Sequence, residues 1–363
     1  MSEFRADPLL LGQKVVALLE TGLRTATYKL AVLMALIDYA IEHVPSDADA
    51  PIPVPIPDLA HRVLELYWPQ VRPFNGSELR QSTQTRARIP QAVLDLRSAA
   101  AVGTGGTSLA VASTRAPDAY EGTITEIGLC LAQQPLHRLQ RVPGAADSEC
   151  FLYDDSFLHD QISRRALRAH GDRIVLMPGV ATALARLAGL LKPALEIMWV
   201  EDVRRMNRYL DEDIPDVAGH LFGRERLSLS VVRGPLQGAF GPRCFYCSSS
   251  LGPDSPIDHV LPWSLVGIDG LANLVPSCVR CNRSKWHALP ALTLVDRVLA
   301  RDQKVLDQLA ADLQWPTQYD RVAAVARGIY RSQPPGSPTW AGVGVTDRLD
   351  LASPRWWLST ATS

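Results

Sequence analysis

Two C-x-x-C pairs, Cys244/Cys247 and Cys278/Cys281, restrict what this chain can fold into more than any other feature. Four thiolates are a complete donor set for a tetrahedral zinc ion, so the two pairs must meet in space if they share one. Residues 248–277, thirty positions, separate them. That is longer than a simple zinc ribbon needs, so something has to be built on the scaffold between the pairs. Pairs at this spacing point to metal binding in a reducing compartment. The other two cysteines, Cys130 and Cys150, stand alone and read as small buried hydrophobes.

The bulk properties exclude several classes. A chain of 363 residues predicts two or three domains, and 47% hydrophobic with 21% charged residues is ordinary globular composition. With 37 basic and 38 acidic residues the net charge is −1, so no overall field advertises a polyanionic partner, and a nucleic-acid surface must be a local patch. The first apolar stretch carries charges and lacks the layout of a signal peptide. The longest apolar segment, Ile174 to Val200, is interrupted by Arg186, Lys192 and Pro193, which argues against a membrane span. The expected location is the cytoplasm.

Along the chain, helical periodicity in two runs from Leu9 to Val44 predicts a helical hairpin, the second run starting near Thr25-Ala26-Thr27. Prolines at 51, 53, 55 and 57 forbid a helix and predict an extended connector, after which Asp58 should cap a helix through Tyr67. Between Arg72 and Arg88, arginines 72, 80, 86 and 88 interleave with Gln81, Ser82, Thr83 and Gln84. Such a loop is either a solvated surface or a contact for phosphates and base edges. A helix over Pro90 to Ala101, the break GTGGTS and one or two short strands near Leu109 to Ser113 suggest a winged-helix-like arrangement. Farther on, the pattern predicts a strand at Cys150 to Tyr153, a helix through Arg168, a strand at Arg173 to Met177 and a long helix broken at Pro193. An amphipathic helix over Thr293 to Leu313 and an irregular Pro/Gly/Trp-rich tail from Ser332 complete the chain.

The stretch between the cysteine pairs carries the chemistry. Ile257-Asp258-His259-Val260 reads as a short strand that sets a carboxylate beside an imidazole. Asn273 follows in a turn, and Asn282 comes directly after Cys281, about 100° further round an inferred helix. In order, these elements read C-x-x-C, D-H-V-x-P, N-L and C-x-x-C-N-x-x-K, and they resemble the HNH or ββα-metal nuclease family, in its McrA-like zinc-stapled form. The resemblance covers some 45–50 residues, and the flanking regions carry no match.

Together with the helical periodicity of the flanks, it gives the expectation of a mainly α multidomain protein with a small C-terminal ββα-metal (HNH) zinc-containing nuclease module. Residues 1–145 and 146–232 would be helical N-terminal and middle domains, 233–292 the nuclease domain and 293–363 a helix and tail. The four cysteines would hold structural Zn²⁺. By the resemblance His259 is the general base, Asp258 and Asn282 hold one catalytic Mg²⁺ or Mn²⁺, and Asn273 supports the histidine loop. Lys285 and Arg283 are placed to contact phosphates beside the cut. Asparagine at 282, where many members have histidine, tilts the site toward magnesium or manganese. His287 lies five residues on and is rotated off the Asn282 face, so it is not a replacement ligand, and Trp263 and Trp286 are expected to form the small core of the module.

The implied activity is endonucleolytic hydrolysis of DNA, leaving 5′-phosphate and 3′-hydroxyl ends, in restriction or phage defence. RNA stays open as a substrate, and because one HNH site cuts one strand, double-strand cleavage calls for a homodimer or a defence-system partner. The alternative is a zinc-dependent nucleic-acid-binding protein without catalysis. No G-x-S-x-G elbow and no G-x-x-x-x-G-K phosphate loop occurs, which disfavours other hydrolase classes.

Overall fold

The computed structural model describes residues 7–21, 24–74, 76–84, 87–101, 108–141, 150–208, 217–222 and 229–358. Arg86 and residues 102–107 of the Gly/Thr-rich break lie outside the described residues. The chain is mostly helical and divides into two compact units, residues 1–40 with 45–225, and residues 226–363 with 41–44. Among the described residues no helix is long and apolar enough to cross a membrane.

In the first unit the two early periodic runs are helices α1 (Pro8–Thr21) and α2 (Tyr28–Glu42). They do not form the expected close hairpin: α1 packs on a later helix, α8 described below, where Gly12 meets Leu187. The segment from Leu30 to Ile37 is buried all round, as its unbroken apolar run requires.

The proline-rich connector is extended, as expected, but it is also paired. Strand β1 (Ile52–Pro55) runs antiparallel to β2 (Arg173–Leu176), with Ile52 opposite Leu176 and Pro55 opposite Arg173. A two-stranded ribbon leaves each strand a free edge, and prolines are tolerated where no ladder donor is needed. Helix α3 (Ile56–Gln70) begins at once, with Pro55 in the cap position and Pro57 in the first turn, where its missing N–H costs nothing. Asp58 therefore sits inside the first turn and caps nothing, and the helix continues past Tyr67.

Helix α4 (Arg88–Ala99) lies where one was expected. The next segment corrects the sequence expectation: Leu109 to Arg115 is a helix, α5, because the Ser108 hydroxyl accepts the Val111 amide at 3.3 Å and caps it. The winged-helix-like arrangement thus has no wing strand there. Helix α6 (Pro117–Leu131), unassigned from sequence, continues into a π-helical turn and packs on α3 and α4.

The strand expected at Cys150 to Tyr153 is reduced to a single bridge between Tyr153 and Leu176, and the helix before β2 is only α7 (Arg164–Ala169). The long helix α8 (Val180–Met206) is not broken at Pro193. The carbonyl that Pro193 leaves without an amide belongs to Gly189, an exposed residue where water can take the bond. The short α9 (Val217–Leu221) follows.

The second unit comprises α10 (Ser230–Phe240), β3 (Ile257–His259), α11 (Trp263–Val266), β4 (Leu274–Pro276) and α12 (Val279–Lys285). It ends with α13 (Leu292–Leu299), α14 (Gln303–Leu313), α15 (Tyr319–Ser332) and the hairpin β5 (Pro338–Gly342) and β6 (Val345–Arg348). The single amphipathic helix expected over 293–313 is two, because Asp302 accepts the Lys304 amide at 2.9 Å and starts a new one. The tail expected to be irregular carries the β5–β6 ribbon.

Val232, Leu236, Ile257, Leu271, Leu274, Leu306 and Trp315 form the core beneath β3 and β4. Gly270 lets the turn before β4 close against the segment before α15: a Cβ there would stand 2.6 Å from the Thr317 carbonyl oxygen. Gly270→Ala should destabilise unit 2 by about 1–3 kcal/mol. A lower urea midpoint with an unchanged slope is the expected result.

Candidate functional site

The local conformation of the two cysteine pairs follows from their turns. The Cys244 amide bonds the Ser249 carbonyl and the Ser248 amide bonds the Cys244 carbonyl, at 2.8 Å each, with Ser248 in the left-handed region. This folds Cys247 back toward Cys244. The second pair straddles the start of α12, where the Cys278 sulfur accepts the Cys281 amide at 3.4 Å.

All four sulfur atoms lie within 4.8 Å of one another, and those of Cys247 and Cys278 are 3.8 Å apart. Tetrahedral ligands at a Zn–S distance of ~2.3 Å stand roughly 3.8 Å apart, so the donor set fits zinc. Hydrogen bonding from Ser249 leads in pulling the Cys247 thiol down to about 6, which favours the thiolate a metal needs.

Strand β3 pairs antiparallel with β4, with Asp258 opposite Val275 and His259 opposite Leu274. The Asp258 carboxylate is buried. Its Oδ2 accepts the Tyr246 hydroxyl at 2.6 Å and the Lys285 ammonium at 3.1 Å. Burial, then the Asp258 charge, hold the Tyr246 phenol far above its ordinary range, so it remains a donor.

The expectation for Lys285 is corrected. It is 1% exposed and donates to the His259 carbonyl at 2.6 Å as well as to Asp258, so its side chain ties α12 to β3 instead of facing solvent for a phosphate. The cause is its position: the inward face of a short helix packed on a strand has no water for a cation, and the carboxylate and carbonyl replace it.

His259 Nε2 lies 2.7 Å from Asp269 Oδ1. A carboxylate only accepts, so Nε2 is the donor and a neutral ring presents its lone pair at Nδ1. Asn273 is wholly buried, accepting the Leu261 amide at 2.8 Å and donating to the Leu261 and Ile268 carbonyls at 3.2 and 3.1 Å. It thus braces the loop that follows β3.

Asn282 is half-buried on α12, three residues before Lys285 and therefore on the same face, toward β3. Neither its side-chain amide nor Asp258 Oδ1 has a hydrogen-bond partner among the described residues. These two hard oxygen donors suit a divalent ion such as magnesium. Arg283 is exposed. His287 lies beside Ser264, with Nδ1 3.3 Å from the hydroxyl.

Trp286 does not join a small core: it is 74% exposed, and Trp263 is half-buried. Trp340 of β5 does that work. Its ring meets Tyr246 edge-on at 5.0 Å and its Nε1 donates to Ser284 at 3.1 Å.

Sequence reasoning missed Tyr246, Asp269, Arg301 and Trp340. Tyr246 lies between Cys244 and Cys247 and Asp269 directly before Gly270, so each had a local cue. Arg301, which donates to the Leu271, Ala272 and Leu274 carbonyls at 2.8–2.9 Å, had none.

Metal analysis of the purified protein should find about one zinc per chain, and Cys278→Ser should lose it. Lys285→Met should cost about 3–5 kcal/mol in urea unfolding, because it strands a buried carboxylate. Wild-type stability in that variant would mean the pair is not formed.

Two family models match the chain: HNH endonuclease over residues 244–287 and Domain of unknown function (DUF8808) over residues 11–218, more than half of the sequence. No curated protein and no solved structure matches. The HNH match spans both cysteine pairs, Asp258, His259, Asn273 and Asn282. The chain is thus a member of the family described as Domain of unknown function (DUF8808), with an HNH endonuclease domain in its C-terminal region.

Proposed function

We propose that the protein is a metal-dependent endonuclease that hydrolyses DNA phosphodiester bonds. One observation carries this: the HNH match coincides with a strand bearing Asp258 and His259, against which the face of α12 carrying Asn282 is tied by Lys285. Asp258 and Asn282 would hold the ion, Mg²⁺ or Mn²⁺, which when bound supplies positive charge for the phosphate and the leaving oxygen. His259 takes the proton of the attacking water at Nδ1. Asp269 fixes the ring orientation and tautomer through Nε2 and stabilises the imidazolium that forms. Asn273 holds the loop after β3 in place, and exposed Arg283 is available to a flanking phosphate. The setting we infer is restriction or phage defence, supported by the presence of a second large unit in the same chain as the nuclease domain.

A second function, nucleic-acid binding without cleavage, draws on one observation: Lys285 and Tyr246 both occupy Asp258 Oδ2. Plasmid nicking decides between the two. Wild-type protein with Mg²⁺ should nick, His259→Ala should be at least about 10²-fold slower, and Asp269→Asn about tenfold or more. DNA binding by all three proteins with no nicking by any would establish the second function. Sequencing the cut ends from mixed modified and unmodified DNA would identify the target.

A further inference from the structure

The first unit contains a cavity of about 190 Å³ lined by Arg24, Lys29, Arg88 and Arg138, and among the described residues no carboxylate lines it. Two of these cations are balanced elsewhere: Arg24 pairs with Asp202 at 2.6 Å and Arg88 with Glu126 at 2.7 Å. Arg138 comes no nearer than 3.9 Å to Asp160, with both side chains largely exposed. Lys29, half-buried, has neither an ion pair nor a hydrogen bond among the described residues. Burial, then the charges of Arg138 and Arg24, push its ammonium below the ordinary lysine range. A cation held among cations without a counter-charge is costly unless an anion joins it.

An independent observation lies at the same wall. Thr25, Ala26, Tyr28 and Lys29 line the cavity where α2 begins. The hydroxyl that would cap this helix, on Thr27, is turned instead to Gln81 Oε1 at 3.0 Å. The amides of Tyr28, Lys29 and Leu30 consequently have no acceptor among the described residues, although Leu30 is fully buried. Free amides at the start of a fifteen-residue helix, with unpaired Lys29 and the loosely paired Arg138 beside them, form a receptor for an anion with several oxygens. The side-chain amide of Gln84, from the arginine-interleaved loop, adds a neutral donor. The volume exceeds that of a lone inorganic anion.

We propose that this cavity binds a phosphate ester, its phosphate held by Lys29, Arg138 and the first amides of α2. The ester is carried either by a free nucleotide or by the terminal phosphate of a nucleic-acid strand. The proposal does not depend on the nuclease activity.

Calorimetry on the full chain tests it with three probes: inorganic phosphate, deoxyadenosine 5′-monophosphate, and a single-stranded decamer with and without a 5′-phosphate. At least one phosphate-bearing probe should bind saturably, and Lys29→Gln and Arg138→Gln should each weaken it about tenfold or more. Binding of the mononucleotide identifies a small-molecule ligand, and binding only of the phosphorylated decamer identifies a strand end. Lys29→Gln should also raise the Tm of the ligand-free protein by relieving repulsion, which separates the proposal from a folding defect. The proposal is overturned if no probe binds below roughly 1 mM, or if both substitutions leave binding unchanged.

Discussion

The ammonium of Lys285, enclosed between the Asp258 carboxylate and the His259 carbonyl, is the contact on which the candidate site depends. A buried charge is tolerated only with a partner, so wherever β3 goes, α12 must follow. Its consequence is positional: Asn282 shares the helix face that Lys285 pins. The four sulfurs act from the other end of the same helix, holding the α12 start to the Cys244 turn. A helix of seven residues has little stability of its own, and two anchors give it one orientation.

Hydrogen bonds to backbone groups do the remaining bracing. Asn273 spends both its donor and its acceptor on the loop after β3, and Arg301 spends its guanidinium on three carbonyls around β4. Burial pushes the arginine down to about 10, since its guanidinium is shut off from water. Asp269 reaches His259 from this braced segment, and its carbonyl accepts the Trp315 indole at 2.7 Å. A histidine oriented by such a chain keeps one tautomer.

In the first unit the start of α2 leaves backbone amides and half-buried Lys29 unmatched among the described residues, beside a cavity. Structures rarely retain buried donors without an acceptor. Those unmatched donors, more than the number of arginines nearby, are what mark the cavity as a receptor.

How much was legible depended on range. Sequence alone determined the four cysteines that could hold zinc and the order of Asp258, His259, Asn273 and Asn282, because fixed spacing carries that information in consecutive residues. It also determined α2 and the extended state of the proline segment, through periodicity and the fixed φ of proline. Only tertiary structure decided that β1 pairs with a strand more than a hundred residues away, that residues 109–115 are helical, and that Trp340 rather than Trp286 packs beside the cysteines. It also decided the direction of Lys285, since whether a cation meets solvent or a buried carboxylate depends on what packs against its helix, and its own neighbours in the chain do not specify that.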